Sequence, residues 1–404
     1  MNVLFLTLLD FSSLSERDIY TDLLREFVRD GNNVYVISPV EKNKNVATYI
    51  INDNNVKIIK LRIGNIQKSR NLVEKGWSTI WLENQIINAI KKFLSDVKFD
   101  LVLYSTPPIT ICKAIEFVKQ RDNAKTYLML KDIFPQNAVD LGMLSKSGLR
   151  GLVYRYFRNK EKKLYALSDY IGCMSKANVD YIIKHNPEID SSKIEICPNS
   201  IEPVDMSVST EQREDIRRRY GIPLDKTVFV YGGNLGKPQG IPFLIECLKT
   251  AKDTGAFFLI VGDGTEYGLI EQYVKNDKPK HVKLIRRLPK DEYDAMVGSC
   301  DVGMLFLDHR FTIPNYPSRL LSYMQAKLPV LAVTDPNTDV GKDIVDGGYG
   351  WWCESNDEYA FTTLVNRILS ENRIRYGNNG YHYLIKKYDA RICYHSMFIS
   401  SLFV

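Results

Sequence analysis

The stretch IPNYPSRLLSYMQAKLPVLAV, Ile313 to Val333, decides how the chain is read. Pro317 closes a loop, Ser318 can cap a helix by accepting from the free N–H groups of its first turn, and Pro329 stops that helix ahead of an apolar strand. Leu321, Met324 and Leu328 recur at helical spacing, so one face of the helix should pack on a sheet. The strand VLAV has no polar alternation, which is the pattern of a parallel sheet covered on both faces. Loop, helix start and buried parallel strand together make the place where α/β proteins hold anions, because amide N–H groups and the positive end of the helix dipole face the ligand. Arg319 opposes that dipole in the first turn. A cation where electrostatics favours Asp or Glu points to an anionic ligand, most simply a phosphate, against the plainer reading of a solvated surface arginine.

The same strand and helix alternation extends in both directions. Asn2 to Leu8 reads as a buried strand, ERDIYTDLLREFVRDG as an amphipathic helix ended by Gly31, and VYVISP as the next strand. The connecting loop DFSSLSERD holds no glycine, so it is not the GxGxxG turn of a dinucleotide site. Strands are expected at VKIIKL, DLVLYS, KTYLML, YIGCMS and KIEICP. After PNSIEPVDMS the pattern restarts with a polar helix, Thr210 to Tyr220, and strands at TVFVYG, AFFLIVG, VKLIRRL, VGMLFL and LPVLAV. A chain of 404 residues is too long for one ordinary core. The expectation is therefore two doubly wound α/β domains facing a central cleft, over residues 1–202 and 203–385, with a C-terminal helix over about 386–404 packing back on the first.

Composition is that of a soluble globular protein, with 45% apolar and 25% charged residues. No apolar run is long enough to cross a bilayer and the N-terminus lacks the basic residues of a signal peptide, so a cytoplasmic chain is expected. Seven cysteines without a CxxC pair argue against a zinc site or a disulfide framework and for buried thiols. Residues 1–200 hold 29 Lys and Arg against 22 Asp and Glu, while 201–404 hold 25 against 26, so the basic excess lies in the first half.

Chemistry is expected on the loops after the strands. GGNLGKPQG carries Gly232, Gly233, Gly236 and Gly240, which let the backbone approach a ligand, and Lys237 adds a point charge. The spacing is not that of a P-loop. VGDG, with Gly262 and Asp263, can line a cleft floor, and Arg286 and Arg287 follow another strand where ligands bind. His309 precedes the central loop, where it could meet a donor sugar or simply lie at the surface.

VYGGNLGKPQG, FLIVGDG, IRRLP and PSRLLSYMQAKLPVLAV together resemble the nucleotide-sugar domain of glycosyltransferase family 4, retaining enzymes of the GT-B fold. YLMLKDIFPQNAVDLGML resembles a segment of the branch that builds bacterial capsule and O-antigen polysaccharides. The resemblance implies a donor site at Gly233, Asn234, Gly236, Gly262, Asp263, Arg287, Pro317, Ser318, Leu321 and Ser322, with Lys237, Arg319 and Asp132 as catalytic candidates. Four positions depart from the family: Asn234 stands for its usual Arg, Gln239 for its Lys, and Pro314 and Ser322 for its paired glutamates. A first-domain histidine is also missing where DLVLYS continues as Ser105, Thr106 and Pro107.

SGLRGLVYRYFRNKEKKLY carries six basic residues and one acidic residue among Leu, Tyr and Phe, which suits an anionic membrane face. Arg155, Arg158, Lys162 and Lys163 are its candidate contacts, with Lys68, Arg70 and Trp77 in a second cluster. The expected reaction moves a sugar from a nucleotide diphosphate donor, UDP-linked, to a lipid-linked (undecaprenyl diphosphate) acceptor. The chain would then be peripheral on the inner membrane face. No Asp-x-Asp pair occurs, so no metal and no other cofactor is expected, and no nucleic-acid module is recognisable. The alternatives are a nucleotide-sugar epimerase of the same fold and a catalytically silent membrane-assembly subunit.

Overall fold

The computed structural model describes the backbone of residues 1–65 and 72–402 and the side chains of residues 1–65 and 81–397. The chain divides into one unit of residues 1–202 with 390–404 and a second of residues 203–389.

The first unit is built on β1 (Asn2–Leu6), β2 (Asn33–Glu41), β3 (Tyr49–Asp53), β4 (Val56–Ile63), β5 (Leu101–Ser105), β6 (Lys125–Leu130), β7 (Tyr170–Cys173) and β8 (Ile194–Ile196). Their order is β3-β4-β2-β1-β5-β6-β7-β8, parallel except for β3, which runs against β4 at the edge. Val3, Phe5, Val34, Val36, Leu101 and Leu103 fill its core, and the helix Ile19–Arg29 lays Leu23, Leu24 and Phe27 against them. That helix starts later than its sequence suggested, because Asp18 accepts from the Tyr20 amide and takes the cap. The last helix, Ala390–Leu402, returns to this unit: the Phe27 and Tyr394 rings meet edge to face at 4.7 Å, and the Tyr394 hydroxyl donates to Asp30.

The second unit is built on β9 (Val228–Asn234), β10 (Phe257–Asp263), β11 (Val282–Arg286), β12 (Val302–Phe306), β13 (Val330–Thr334) and β14 (Gly350–Glu354). All are parallel, in the order β11-β10-β9-β12-β13-β14. The winding reverses between β9 and β12, so the loops after these two strands part and leave a crevice at the carboxyl edge, where doubly wound sheets bind ligands. Strands β3 and β14 were missed in the sequence. One is a half-exposed edge strand ending in polar residues, and the other opens on a glycine before two tryptophans, so neither shows the apolar run of its neighbours.

The helix of the central stretch covers only Arg319–Gln325. Ser318 occupies the cap position but has helical φ and ψ of −63° and −20°, so its hydroxyl does not reach the first-turn amides and makes no capping bond. The helix also ends before Pro329. Lys327 adopts a left-handed φ of 53° and Leu328 N–H donates back to the Tyr323 carbonyl at 2.9 Å, which closes the end of the helix. Leu321, Met324 and Leu328 are all buried, so the apolar face is as expected although its last member lies past the helix.

Candidate functional site

A cavity of about 440 Å³ opens at the carboxyl ends of β9, β10 and β11. Gly233, Asn234, Gly262, Asp263 and Arg287 line it, so five of the expected donor residues are brought together there. Val261, Leu288, Lys290 and Tyr293 line it too. The floor is made of backbone: a Cβ on Gly262 would stand 1.9 Å from the Gly233 carbonyl oxygen, and Gly233 has a φ of +117° that L side chains rarely adopt. Two strands thus meet without side chains between them, which leaves room for a ligand.

Arg319 lies directly beside this floor. Its Cζ would be 3.4 Å from a Cβ on Gly233, and its guanidinium sits over the Tyr231 ring at 4.5 Å. Burial opposes the charge, but the Tyr231, Tyr323 and Tyr293 side chains around it favour the cationic form, and its pKa is raised. Nη1 is buried without a hydrogen-bond partner, and among the described residues Arg319 forms no ion pair. A half-buried guanidinium with one nitrogen out of water and no acid beside it among the described residues is suited to contact an anion. Tyr231 and Tyr323 are held in place: Tyr231 donates to the Asn234 carbonyl at 2.7 Å, and Tyr323 donates to the Met304 carbonyl and accepts from Gly232 N–H, both at 3.1 Å. The tyrosines went unnoticed in the sequence, although Tyr323 stands four residues after Arg319 and so shares its helix face.

The glycine loop is braced by the two residues that depart from the family. Asn234 Nδ2 donates to Gln239 Oε1 at 3.0 Å, and Gly236 N–H donates to the same oxygen at 3.2 Å. Lys237, on the short 3-10 turn between them, is exposed and forms no ion pair among the described residues. Arg287 is likewise free of one, whereas Arg286 is turned aside onto the Tyr267 ring and Glu271, and Lys290 is paired with Asp294. In the central stretch Leu321 is buried, Pro317 and Ser322 are half-buried and Ser318 is exposed; none of the four lines the cavity. His309 Nε2 lies 3.3 Å from Asn356 Nδ2, which ties this histidine to β14's following loop.

In the first unit Asp132 follows β6. Asn137 Nδ2 donates to both carboxylate oxygens, at 2.7 and 2.9 Å. Burial pushes the Asp132 carboxyl up to about 6, with the Asn137 and Ile133 hydrogen bonds pulling the other way. A carboxyl group that titrates near neutrality at the carboxyl edge of a parallel sheet can take a proton from a hydroxyl.

The basic segment forms the helix Gly148–Leu167, and three of its four expected membrane contacts are occupied. Arg158 is bonded to Glu161 and to Asn186, Lys162 to Glu188 and Lys163 to Glu116. Their charge is met inside the unit, and of the four expected contacts Arg155 is the one without an ion pair among the described residues. The feature the charge count missed is apolar. Leu149, Leu152, Val153 and Tyr156, at i, i+3, i+4 and i+7, are 85%, 57%, 44% and 44% exposed, with Met143 at 55% nearby. Helical spacing would have revealed the stripe, but not that it faces solvent. Lys68 and Arg70 lie outside the described residues, as does the side chain of Trp77.

Two units with doubly wound sheets, parallel but for the edge strand β3, make up the GT-B architecture. Residues 212–383, within the second unit, match the family described as Glycosyl transferases group 1. The chain is 26% identical to the probable glycosyltransferase WbjE of Pseudomonas aeruginosa, over 71% of this chain and 72% of that protein. It is 21% identical to the putative colanic acid biosynthesis glycosyl transferase WcaI of Escherichia coli K12, over 51% of this chain and 49% of that one. Among solved structures, Anabaena HepE in complex with UDP-glucose superposes with a TM-score of 0.71 at 12% identity, covering 99% of each chain. The chain thus shares the fold of that solved structure, and its residues 212–383 resemble group 1 glycosyl transferases in sequence.

Proposed function

We propose that the protein is a retaining, family 4 glycosyltransferase that moves a sugar from a UDP-linked donor to a lipid-linked acceptor in bacterial surface polysaccharide synthesis. The observation that carries this reading is Arg319, a half-buried cation beside Gly233 whose Nη1 is out of water and which has no acid to neutralise it among the described residues. Placed there, it meets the negative charge that grows on the diphosphate as the sugar leaves, with Lys237 as a second, exposed cation. The leaving charge is balanced in this proposal by side chains and amides, without a metal ion. The likeness in fold to a protein solved with UDP-glucose supports the donor class, and the relative named for colanic acid biosynthesis supports the polysaccharide setting. The exposed apolar stripe beside Arg150 and Arg155 supports an acceptor presented at a membrane surface.

The test is release of UDP from UDP-sugars when the protein is mixed with membrane lipid extract. Turnover is expected only with extract present and should persist in EDTA. Sugar transfer that stops on chelation and returns with magnesium or manganese would overturn the metal-free step, and absence of UDP binding in calorimetry would overturn the donor assignment.

A further inference from the structure

The first unit holds a second cavity, of about 140 Å³, that the reading above does not use. It lies between the helices Gly148–Leu167 and Lys176–His185 and the residues that follow Asp132. Arg158 and Glu161 line it as a fixed pair: the guanidinium donates to Glu161 at 2.6 Å, to Asn186 Oδ1 at 2.6 Å and to the His185 carbonyl at 3.0 Å, while Glu161 also accepts from Tyr165 at 2.8 Å. Tyr181, stacked on His185 at 3.9 Å, and Tyr154 also line it, and among the described residues neither phenol hydroxyl has a hydrogen-bond partner. Gln136 completes the wall one position before Asn137, the residue that holds Asp132.

We propose that this cavity is a saccharide subsite that takes one sugar ring of the acceptor, an inference that rests on the glycosyltransferase reading. A sugar ring offers hydroxyls that donate and accept at once, together with an apolar C–H face. The cavity answers with two unpartnered phenols, planar amide and guanidinium groups that cannot move, and an aromatic stack. Its volume is well under the 300 Å³ or so at which sites for drug-sized ligands begin, so it has room for a single ring and not for a chain. Phosphate fits it worse, because Arg158 is already neutralised and the Glu161 carboxylate faces the same space. That leaves Lys146, held over the Tyr154 ring, as the one unpaired cation among the described lining residues.

Tyr154→Phe and Tyr181→Phe remove the two hydroxyls and keep the rings, so the full chain should fold as before. Saturation-transfer NMR with free glucose, galactose, N-acetylglucosamine and fucose should show transfer from the wild-type protein to at least one sugar. The double variant should lose that transfer at least fivefold, with UDP affinity unchanged. Equal transfer in both proteins, no transfer to any sugar, or displacement of the bound sugar by millimolar inorganic phosphate would overturn the subsite. Failure of the wild-type chain to bind UDP in the same series would count against the glycosyltransferase reading instead, so the two can fail separately.

Discussion

Two cations stand near the glycine loop, and their surroundings rank them. Arg319 is packed on Tyr231 with Nη1 out of water, so a bond from it to a phosphate is charge-assisted and unscreened, worth about 1.5–3 kcal/mol. Lys237 is exposed, and a contact from it should give less than about 1 kcal/mol. Arg319→Ala is therefore expected to weaken UDP binding roughly ten- to a hundredfold and Lys237→Ala by only a few fold, measured by titration calorimetry. Equal losses would mean that the buried position gives no advantage. At Asp132 the argument concerns protons. Its folded pKa of about 6 lies above the ordinary carboxylate value of 3.8, so between these pH values the folded chain keeps a proton that the unfolded chain has released. Stability from this group is present at low pH and falls as pH rises through that window. Asp132→Asn should then melt above the wild type at pH 7.5 and together with it near pH 4. The same variant should lose sugar transfer while keeping UDP affinity. A lower melting point at pH 7.5 would show that the charged form is favoured in the fold.

The meeting of β9 and β10 makes the donor floor, and it depends on the absence of two side chains. In Gly262→Ala the new methyl group would collide with the Gly233 carbonyl, so the strands must part at the edge that carries the site. Overpacking of this kind costs about 1–3 kcal/mol, and the variant should melt lower and lose UDP binding further than its stability loss accounts for. Unchanged UDP affinity in a folded variant would place the ligand elsewhere. β9 and β10 were legible in the sequence because each is an unbroken apolar run into glycine and a polar residue, and the site followed from their ends. Its geometry was not. The Tyr231, Tyr293 and Tyr323 box comes from three elements far apart in sequence, and the bond between Asn234 and Gln239 depends on a 3-10 turn whose closure needs Gly240 in a left-handed conformation. The cap at Ser318 failed for a local reason, since residue type favours capping only where the backbone is extended. Ion pairing is the other hidden layer: Arg158, Lys162 and Lys163 look like free charges until Glu161, Glu188 and Glu116 are brought beside them by the fold.

For the whole molecule, the basic excess of the first half and the exposed stripe of the helix Gly148–Leu167 act on a membrane in different ways. No described helix is long and apolar enough to cross a bilayer. Charge attraction gives about 1 kcal/mol per unpaired Lys or Arg near an anionic leaflet, and it is screened over about 8 Å at physiological ionic strength. Burying an exposed Leu or Val side chain gives about 1.5–3 kcal/mol and is not screened. With Leu149, Leu152 and Val153 joined by Tyr156, against Arg150, Arg155 and Lys160 as the helix's cations without an ion pair among the described residues, the apolar contribution is the larger, and the two are additive at a lipid surface. Co-sedimentation with vesicles containing anionic lipid should therefore weaken in high salt without disappearing, and neutral vesicles should retain part of the binding. Leu149→Ser with Leu152→Ser should reduce binding at least tenfold at any salt concentration, while Lys162→Gln with Lys163→Gln should leave it nearly unchanged, because those two charges are already met by acids of the same unit. UDP affinity should be the same in all three proteins, since the donor cavity lies in the other unit. If the serine variant sediments with anionic vesicles as the wild type does, or the glutamine variant is the one released, the stripe is not the contact and the membrane reading falls back on charge alone.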